Sequence, residues 1–226
     1  TASDACNTFT VVQVGSDVTG GNSCAKTTTR TWLAVDACGN SSATRSQTVT
    51  QVDTQAPTIG QAGANTTIEC TATPSFTAPT ASDACNTFTV VQIGGDVTGG
   101  NSCNKTTTRT WLAVDACGNS SATRSQTVTQ VDTQAPTIGS AGANTTIECT
   151  ATPSFTAPTA SDACNTFTVV QVGGDVTGGT SCAKTTTRTW LAVDACGNSS
   201  ATRSQTVTQV DTQAPTIGAA GANTTI

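Results

Sequence analysis

Hydrophobic and polar positions alternate along most of the chain, which is typical of β-strands rather than of helices. Gly, Asn and Pro cluster between the alternating runs and predict turns there. Leu occurs only three times, so long amphipathic helices are not expected. Within one stretch of about 79 residues the runs predict strands at 66–70, 75–78, 88–93, 106–115 and 122–131. The pattern predicts an all-β class, with six or seven short strands forming a small sandwich.

The sequence repeats itself with a period of 79 residues. The hexapeptide Thr-Ala-Ser-Asp-Ala-Cys begins at Thr1 and returns at Thr80 and Thr159. A fixed period of this kind indicates a tandem array of immunoglobulin-like β-sandwich repeats, like beads on a string. We place the boundaries at the Asp of each Val-Asp-Thr-Gln-Ala-Pro segment, since Asp-Thr and Ala-Pro favour an extended or turn backbone. The predicted domains are an incomplete repeat lacking its first strand at 1–52, complete repeats at 53–131 and 132–210, and the first strand of another repeat at 211–226.

The two incomplete ends read as cut points inside a longer array. We therefore expect further copies of the repeat outside this stretch of sequence. The detached leading strand at 211–226 is a candidate to pair with an exposed sheet edge of a neighbouring chain.

Charge and composition exclude several functions. The net charge is −5, with only 9 Lys and Arg, which argues against a nucleic-acid partner. The chain has no His, which removes imidazole acid–base chemistry, His metal ligands and Ser–His triads. No run approaches the roughly 20 apolar residues that cross a bilayer. We expect no enzyme activity, no catalytic residues and no membrane insertion in this segment.

Each repeat carries four cysteines. Three full copies would have 12, and the 226 residues contain 11, because the stretch equivalent to 69–79 occurs only twice. The chain has no Cys-x-x-Cys motif. An even number in a small, Leu-poor domain predicts a disulfide framework and an oxidising, extracellular setting. Four cysteines allow three pairings. From the sandwich topology we expect Cys85 and Cys117 to meet at one end of a repeat, and Cys70 and Cys103 at the other end or on the flank. The predicted pairs are Cys6–Cys38, Cys70–Cys103, Cys85–Cys117, Cys149–Cys182 and Cys164–Cys196, with Cys24 bonded to a residue outside the chain.

Several segments resemble the hyalin repeat family. The segments are Asp-Thr-Gln-Ala-Pro from Asp132, Ile-Glu-Cys at 147–149, Ala-Pro-Thr-Ala-Ser-Asp at 157–162 and Thr-Trp-Leu-Ala-Val-Asp-Ala-Cys-Gly-Asn at 189–198. The resemblance covers the whole chain, and its most specific part is the pattern aromatic-x-Ala-x-Asp-x-x-Gly-Asn. It implies immunoglobulin-like modules of extracellular adhesion proteins. Tandem, cysteine-bearing versions in very large bacterial surface proteins are especially similar, which implies a role in adhesion or as a stalk rather than in catalysis.

Acidic residues are expected to gather where one repeat joins the next. In an immunoglobulin-like module the loop after the second strand and the last hairpin lie at the end that receives the linker. Converging oxygen ligands are candidates for Ca²⁺, and the resemblance implies repeats stiffened by calcium. The alternative is that these side chains cap turns and accept hydrogen bonds from backbone amides. The candidate calcium ligands are Asp53, Asp83, Asp115 and Asn119, and Asp132, Asp162, Asp194 and Asn198.

The longest predicted strand has two different faces. Its Trp alternates with Ala and is expected to pack in the core, as Trp32, Trp111 and Trp190. The apolar residues on either side of that Ala point the other way, which makes them candidates for a lateral contact between chains. The alternative is a core on both faces. The candidate contact residues are Leu33, Val35, Leu112, Val114, Leu191 and Val193.

The sequence leaves two functions in competition. The first is a structural extracellular stalk or filament of disulfide-stapled repeats, part of a giant bacterial surface adhesin. Its partners would be neighbouring repeats of the same chain and, in a fibre, laterally packed copies. In the second, Thr-rich strand faces such as 106–108 and 127–129 bind glycan or ice. Against this, Thr is common on solvated strand faces because of its β propensity.

Overall fold

The computed structural model describes residues 1–224, and all regular structure in that range is β. The predicted all-β class is confirmed. The strands are β1 (Phe9–Gln13), β2 (Val18–Asn22), β3 (Ala25–Asp36), β4 (Arg45–Val52), β5 (Thr58–Ile59), β6 (Thr66–Glu69), β7 (Ala81–Ser82), β8 (Phe88–Gln92), β9 (Val97–Asn101), β10 (Asn104–Asp115), β11 (Arg124–Val131), β12 (Thr137–Ile138), β13 (Thr145–Glu148), β14 (Ala160–Ser161), β15 (Phe167–Gln171), β16 (Val176–Thr180), β17 (Ala183–Asp194) and β18 (Arg203–Val210). Within residues 1–224 no helix is long and apolar enough to cross a membrane.

The strands recur with the period of the sequence. Strands β5 to β11 are repeated as β12 to β18, and each set forms one five-stranded and one two-stranded sheet. The larger sheets have the order β6-β11-β10-β8 and β13-β18-β17-β15, with β9 pairing β10 and β16 pairing β17. The smaller sheets pair β5 with β7 and β12 with β14. Residues before β5 form a four-stranded sheet in the order β1-β3-β2, with β4 pairing β3.

The twelve-residue strand β17 organises its sheet because it is long enough to pair with three others. Antiparallel β18 runs along one side, while β16 and β15 share the other side end to end. Strand β13 joins the far edge parallel to β18. The β16–β17 hairpin depends on Gly179, whose φ of +85° and closeness to the Ala183 carbonyl leave no room for a Cβ.

The core lies on one face of this sheet. Alternation along the strands turns Trp190, Ala192 and Val207 inward, with exposures of 6%, 0% and 1%. Ile138, in β12, is buried as well, so the small sheet contributes to the core. The prediction that Trp faces the core holds for Trp190 and for its equivalent in β10.

A buried glutamine fixes the leading segment of each complete repeat. Gln205 is 4% exposed, and its side-chain amide donates to the Ala143 carbonyl at 2.9 Å. Its Oε1 accepts a hydrogen bond from the Thr156 amide at 2.8 Å. A Cβ on Gly142 would lie 2.8 Å from that oxygen, so Gly is required beside it. Gln126 makes the equivalent bonds in β11.

The sheet of residues 1–52 is not covered by a leading segment of this kind, and its core face is more exposed to solvent. Val49, in β4, is 56% exposed, whereas its equivalents Val128 and Val207 are each 1% exposed. At the other end, 211–224 forms no strand, and Ile217 is 98% exposed. The assignment of 211–226 as the first strand of another repeat stays a prediction; residues 211–224 pair with no strand in the structure, and residues 225–226 lie outside the described range.

The chain divides into two compact units. The first comprises Thr1–Thr66, Pro74–Thr98 and Thr106–Val128; the second comprises Thr67–Thr73, Gly99–Lys105 and Thr129–Ile226. The short segments 67–73 and 99–105, at one tip of the middle repeat, thus group with the repeat that follows. The boundaries placed at Asp53, Asp132 and Asp211 stay a prediction, and the disulfides described next give the reason for this grouping.

Candidate functional site: the repeat junctions

The cysteines pair between successive repeats and not within them. The bridges are Cys24–Cys117, Cys70–Cys164 and Cys103–Cys196, with Cα–Cα distances of 5.3, 5.9 and 5.4 Å. Each closes a sequence separation of 93 or 94 residues. Every predicted pairing was therefore wrong: Cys6–Cys38, Cys70–Cys103, Cys85–Cys117, Cys149–Cys182, Cys164–Cys196 and the assignment of Cys24 to a partner outside the chain.

The backbone explains the pairing. The amide of Cys70 donates to the Val131 carbonyl at 2.7 Å, and the Cys103 carbonyl accepts from the Asp132 amide at 3.3 Å. Both cysteines therefore flank the point where the chain leaves one repeat for the next. Their partners Cys164 and Cys196 lie in the loops that receive this linker. The prediction assumed that the four cysteines of one repeat bond to each other. A junction between two repeats also brings four cysteines to one place, two from each repeat.

The linker residue Asp132 is held by the following repeat. It is 6% exposed, and its Oδ2 accepts from the Asn165 side-chain amide at 2.6 Å. Its backbone carbonyl accepts from the Asn198 side-chain amide at 3.2 Å, and its Oδ1 from the Gln134 amide at 3.1 Å. The first residue of the linker is therefore fixed by three hydrogen bonds beside the disulfides.

Asp194 orders the last hairpin at the same place. It is 7% exposed; its Oδ1 accepts from the amides of Cys196 and Asn198, and its Oδ2 from the Asn198 side chain at 2.8 Å. Burial raises the pKa of the Asp194 carboxyl. Hydrogen bonds from Asn198 and from the Cys196 and Gly197 amides outweigh burial and hold that pKa below its usual value.

The candidate calcium ligands are only partly brought together. The oxygens of Asp132 and Asp194 lie within 4.8 Å of each other, and Asn198 touches both residues. Asp162 instead binds the amides of Cys164 and Asn165. In the first unit the same arrangement joins Asp53, Asp115 and Asn119, while Asp83 binds the amides of Cys85 and Asn86.

These residues do not fit a calcium ion. Ca²⁺ takes six to eight oxygen ligands. Both carboxylate oxygens of Asp132 and of Asp194 already accept N–H groups, and Asn198 presents its amide nitrogen to the cluster. The nearby Cys196 sulfur is in a disulfide and supplies no thiolate. The donor set matches the alternative in which these side chains cap turns.

The outward hydroxyl rows bond mainly to each other. Thr187 pairs with Thr206 across β17 and β18, and Thr189 pairs with Ser204, each at 2.8 Å. The same pairs recur in the other sheets. These hydroxyls are therefore partly committed to cross-strand bonds, which stabilise the sheet.

An ion pair with an aromatic neighbour fixes β16 against β17. The Arg188 guanidinium binds both oxygens of Asp175, with both N–O distances 2.7 Å, and its carbon lies 4.4 Å from the Phe155 ring centre. The hydrogen bond from Arg188 is the main reason that the pKa of Asp175 is lowered. Stacking on Phe155 orients the guanidinium.

The candidate lateral contact lies on the sheet face opposite Trp111. Leu112 pairs with Val91 across β10 and β8, and Val91 and Ile93 are each 40% exposed. The apolar patch is therefore wider than the sequence indicated. The candidate residues Leu33, Val35, Leu112, Val114, Leu191 and Val193 are all half-buried. Their contact with another chain stays a prediction.

No protein-family model matches the chain, and no curated protein matches it. Similar solved structures include the protocadherin GammaB4 extracellular domain (13% identity, TM-score 0.35, 90% of this chain and 45% of that chain). Protocadherin Gamma B2 extracellular cadherin domains 1–5 match at 14% identity and TM-score 0.38, covering 91% of this chain and 53% of that chain. Drosophila N-cadherin EC1-4 matches at 12% identity and TM-score 0.28, covering 91% and 68%. The chain spans about half the length of the two protocadherin chains, and at these scores the likeness carries no functional argument.

Proposed function

We propose that this chain is a structural segment of an extracellular stalk or filament whose successive immunoglobulin-like repeats are locked to each other by disulfides. The observation that carries the proposal is the pairing of cysteines across junctions. A disulfide within a domain stabilises that domain, whereas a disulfide between domains restricts their relative motion. A chain selected for rigidity over many repeats needs the second kind.

The junction in the second unit supports this role in detail. Two bridges, Cys70–Cys164 and Cys103–Cys196, leave the tip of one repeat at two separate points. Two attachment points prevent the free swivelling that a single bridge would permit. Asp132 lies beside them and is held by Asn165 and Asn198, so the backbone linker is a third attachment.

The setting of this function is oxidising. Three disulfides among 11 cysteines are typical of secreted and surface proteins. The resemblance to hyalin repeats narrows the proposal to a large bacterial surface adhesin in which these repeats serve as a spacer. The proposed role is mechanical, with no catalytic step.

Small-angle X-ray scattering tests the proposal on the oxidised chain and on a Cys70→Ala/Cys164→Ala/Cys103→Ala/Cys196→Ala variant. We expect the variant to keep its β circular dichroism but to show a broader distribution of interatomic distances, because the repeats then move independently. Cys85→Ala is the matched control, since Cys85 forms no bridge. Identical distance distributions for the oxidised chain and the variant would refute the locking role.

Lateral packing into a fibre is a separate part of the proposal. The apolar patch of Leu112, Val114, Val91 and Ile93 has partly exposed members on the outer sheet face. We expect Leu112→Thr/Val114→Thr to reduce lateral association in sedimentation. Thr127→Ser, on the same sheet face, is the control. An unchanged assembly state in the double variant would contradict a lateral contact here and leave the locked junction intact.

A further inference from the structure

Strand β15 lies at an edge of its five-stranded sheet and pairs only with β17. The Val172 amide, just after β15, donates to the Thr189 carbonyl at 2.8 Å. Just before β15, the Thr166 carbonyl accepts from the Ala195 amide at 2.9 Å. Because peptide groups alternate in direction along a strand, residues of β15 with even numbers bond to β17 and those with odd numbers point away from it.

The backbone groups of Phe167, Val169 and Gln171 are the ones that point out of the sheet. Among residues 1–224 these groups find no hydrogen-bond partner. Phe167 is 38% exposed and Val170 is 40% exposed, so the edge is open to solvent. An edge of this kind presents a row of donors and acceptors that another strand can pair with.

The β15 edge lacks the features that protect edge strands from pairing. Protected edges carry charged side chains, Pro or a bulge. Strand β15 reads Phe-Thr-Val-Val-Gln, and its register with β17 is regular over all five residues. By contrast, β13 at the opposite edge ends in Glu148, and β16, farther along the same edge, contains Gly179 with a φ of +85°. The sheet therefore has one regular, uncharged edge.

The same edge strand occurs in all three sheets of this type. Phe-Thr-Val-Val-Gln forms β1, β8 and β15, and each pairs only with the long strand of its own sheet. In β8 the Ile93 amide donates to the Thr110 carbonyl at 2.9 Å, as the equivalent Val172 amide does after β15. Each copy of the chain therefore presents an identical strand to any other copy, whatever the number of repeats.

We propose that β15 of one copy pairs antiparallel with β15 of a second copy, which joins two five-stranded sheets edge to edge, and that β8 pairs in the same way. The outward groups determine the register. Val169 lies opposite Val169 of the second copy, and Phe167 lies opposite its Gln171. Each of these pairs exchanges two backbone hydrogen bonds.

The chemistry of the edge favours a second copy as the partner. The chain carries a net charge of −5, so two copies approach most easily where neither has a charge. None of the five residues of β15 is charged, and the antiparallel register therefore places no like charges opposite each other. On the outer face it places Val170 opposite Thr168 of the second copy, and β-branched side chains pair favourably across strands.

The edge contact goes beyond the lateral contact of the proposed function, which uses the outer sheet face at Leu112 and Val114. The two contacts use different atoms: the edge contact depends on backbone groups, and the face contact depends on side chains. Neither contact involves the junction disulfides. Failure of the edge contact would therefore leave both the locked junctions and the face contact standing.

The test uses Pro at the outward position of each copy of the strand. Because the Val169 amide points away from β17, Val169→Pro removes a donor for the second copy and no hydrogen bond of its own sheet. The variant is Val11→Pro/Val90→Pro/Val169→Pro. The matched control, Val11→Thr/Val90→Thr/Val169→Thr, keeps the amide and a β-branched side chain.

Sedimentation of the oxidised 226-residue chain over a range of concentrations measures the association. We expect the Pro variant to weaken association at least about tenfold and the Thr control to stay within about twofold of the unmodified chain. Both variants should keep their β circular dichroism. Since they share every face and junction, a difference between them reports the edge alone. Equal association of the two variants would overturn the proposal.

Hydrogen exchange on the unmodified chain tests the register without any substitution. We expect the amides of Phe167, Val169 and Gln171 to exchange more slowly as the concentration rises, while the Val170 amide is protected throughout. Peptides that extend into the following turn distinguish the repeats, because the turns begin Val14-Gly-Ser, Ile93-Gly-Gly and Val172-Gly-Gly. Fast exchange of the outward amides at every concentration would contradict the pairing. Protection of these amides in native material but not in the purified chain would assign the edge to a different protein and would also overturn the proposal.

Discussion

Removal of the Cys103–Cys196 bridge in a Cys103→Ala/Cys196→Ala variant should cost a large share of the stability of the second unit. The two bridges Cys70–Cys164 and Cys103–Cys196 together close a covalent ring with two chain segments, 33 residues from Cys70 to Cys103 and 32 residues from Cys164 to Cys196. The variant keeps Cys70–Cys164 and opens this ring. A ring of about 65 residues corresponds to about 4 kcal/mol of loop-closure entropy in the unfolded chain. For a unit of about 100 residues, this lowers the melting temperature by roughly 15 °C or more.

The assay is thermal and urea unfolding followed by circular dichroism, with Cys85→Ala as the control. The control should lie within about 0.5 kcal/mol of the unmodified chain, since Cys85 is exposed and unpaired. In the variant the urea m-value should rise, because an unfolded chain with fewer cross-links exposes more surface.

Tryptic mapping without reduction distinguishes disulfides between successive repeats from disulfides within one repeat. The bridges of the structure join peptide 1–26 to 110–124, and peptide 46–105 to 189–203. Pairing within repeats would instead join 46–105 to 110–124. Recovery of that product, or a loss of stability no larger than that of the control, would refute the reasoning.

Three further results are expected. Gln205→Ala should cost roughly 1–3 kcal/mol in urea unfolding, because it removes the two hydrogen bonds that the buried Gln205 side chain makes with the Thr156 amide and the Ala143 carbonyl; Gln47→Ala, at the exposed equivalent, should cost under about 0.5 kcal/mol. The Asp194 pKa is lowered on folding, so its contribution to stability is complete above the ordinary carboxyl pKa of about 3.9 and is lost as pH falls through the folded value. Acid titration of stability should show a loss below about pH 4 that is smaller in Asp194→Asn. Calcium or a chelator should shift the melting temperature by less than about 1 °C, because the junction oxygens already accept N–H groups; a shift of several degrees would restore the calcium site.

The sequence was sufficient for the fold class because its signals are local. Alternation along 106–115 and the turn residues around it predicted a long central strand, and β10 occupies Asn104–Asp115. The inward orientation of Trp111 followed from the same alternation. The predicted strand at 75–78 does not form. The Thr77 amide donates a hydrogen bond to the Gln126 side chain, and the backbone there does not pair with another strand.

The junctions could not be predicted in the same way, since their contacts join residues far apart in the chain. Cys103 lies 93 residues from its partner and only 14 from Cys117, and nothing in the spacing favours the longer separation. Near-identity of the repeats makes pairing within and between them indistinguishable by motif. The clue was geometric: Cys103 follows a hairpin that points towards the next repeat, whereas Cys117 lies at the opposite end of β10.

The bridges also determine how far the chain can lengthen under load. The shortest covalent path enters at Cys24, crosses to Cys117, follows the backbone back to Cys103 and crosses to Cys196. Only the 15 residues from Cys103 to Cys117 of the middle repeat lie on that path, and 12 of them form β10, which is already extended to about 40 Å. Full extension of the path reaches about 50 Å, against roughly 280 Å for an unbridged repeat. Pulling on the oxidised chain can therefore gain only about 10 Å in this repeat before covalent bonds must break, so it behaves as a nearly inextensible tether even if the repeat unfolds.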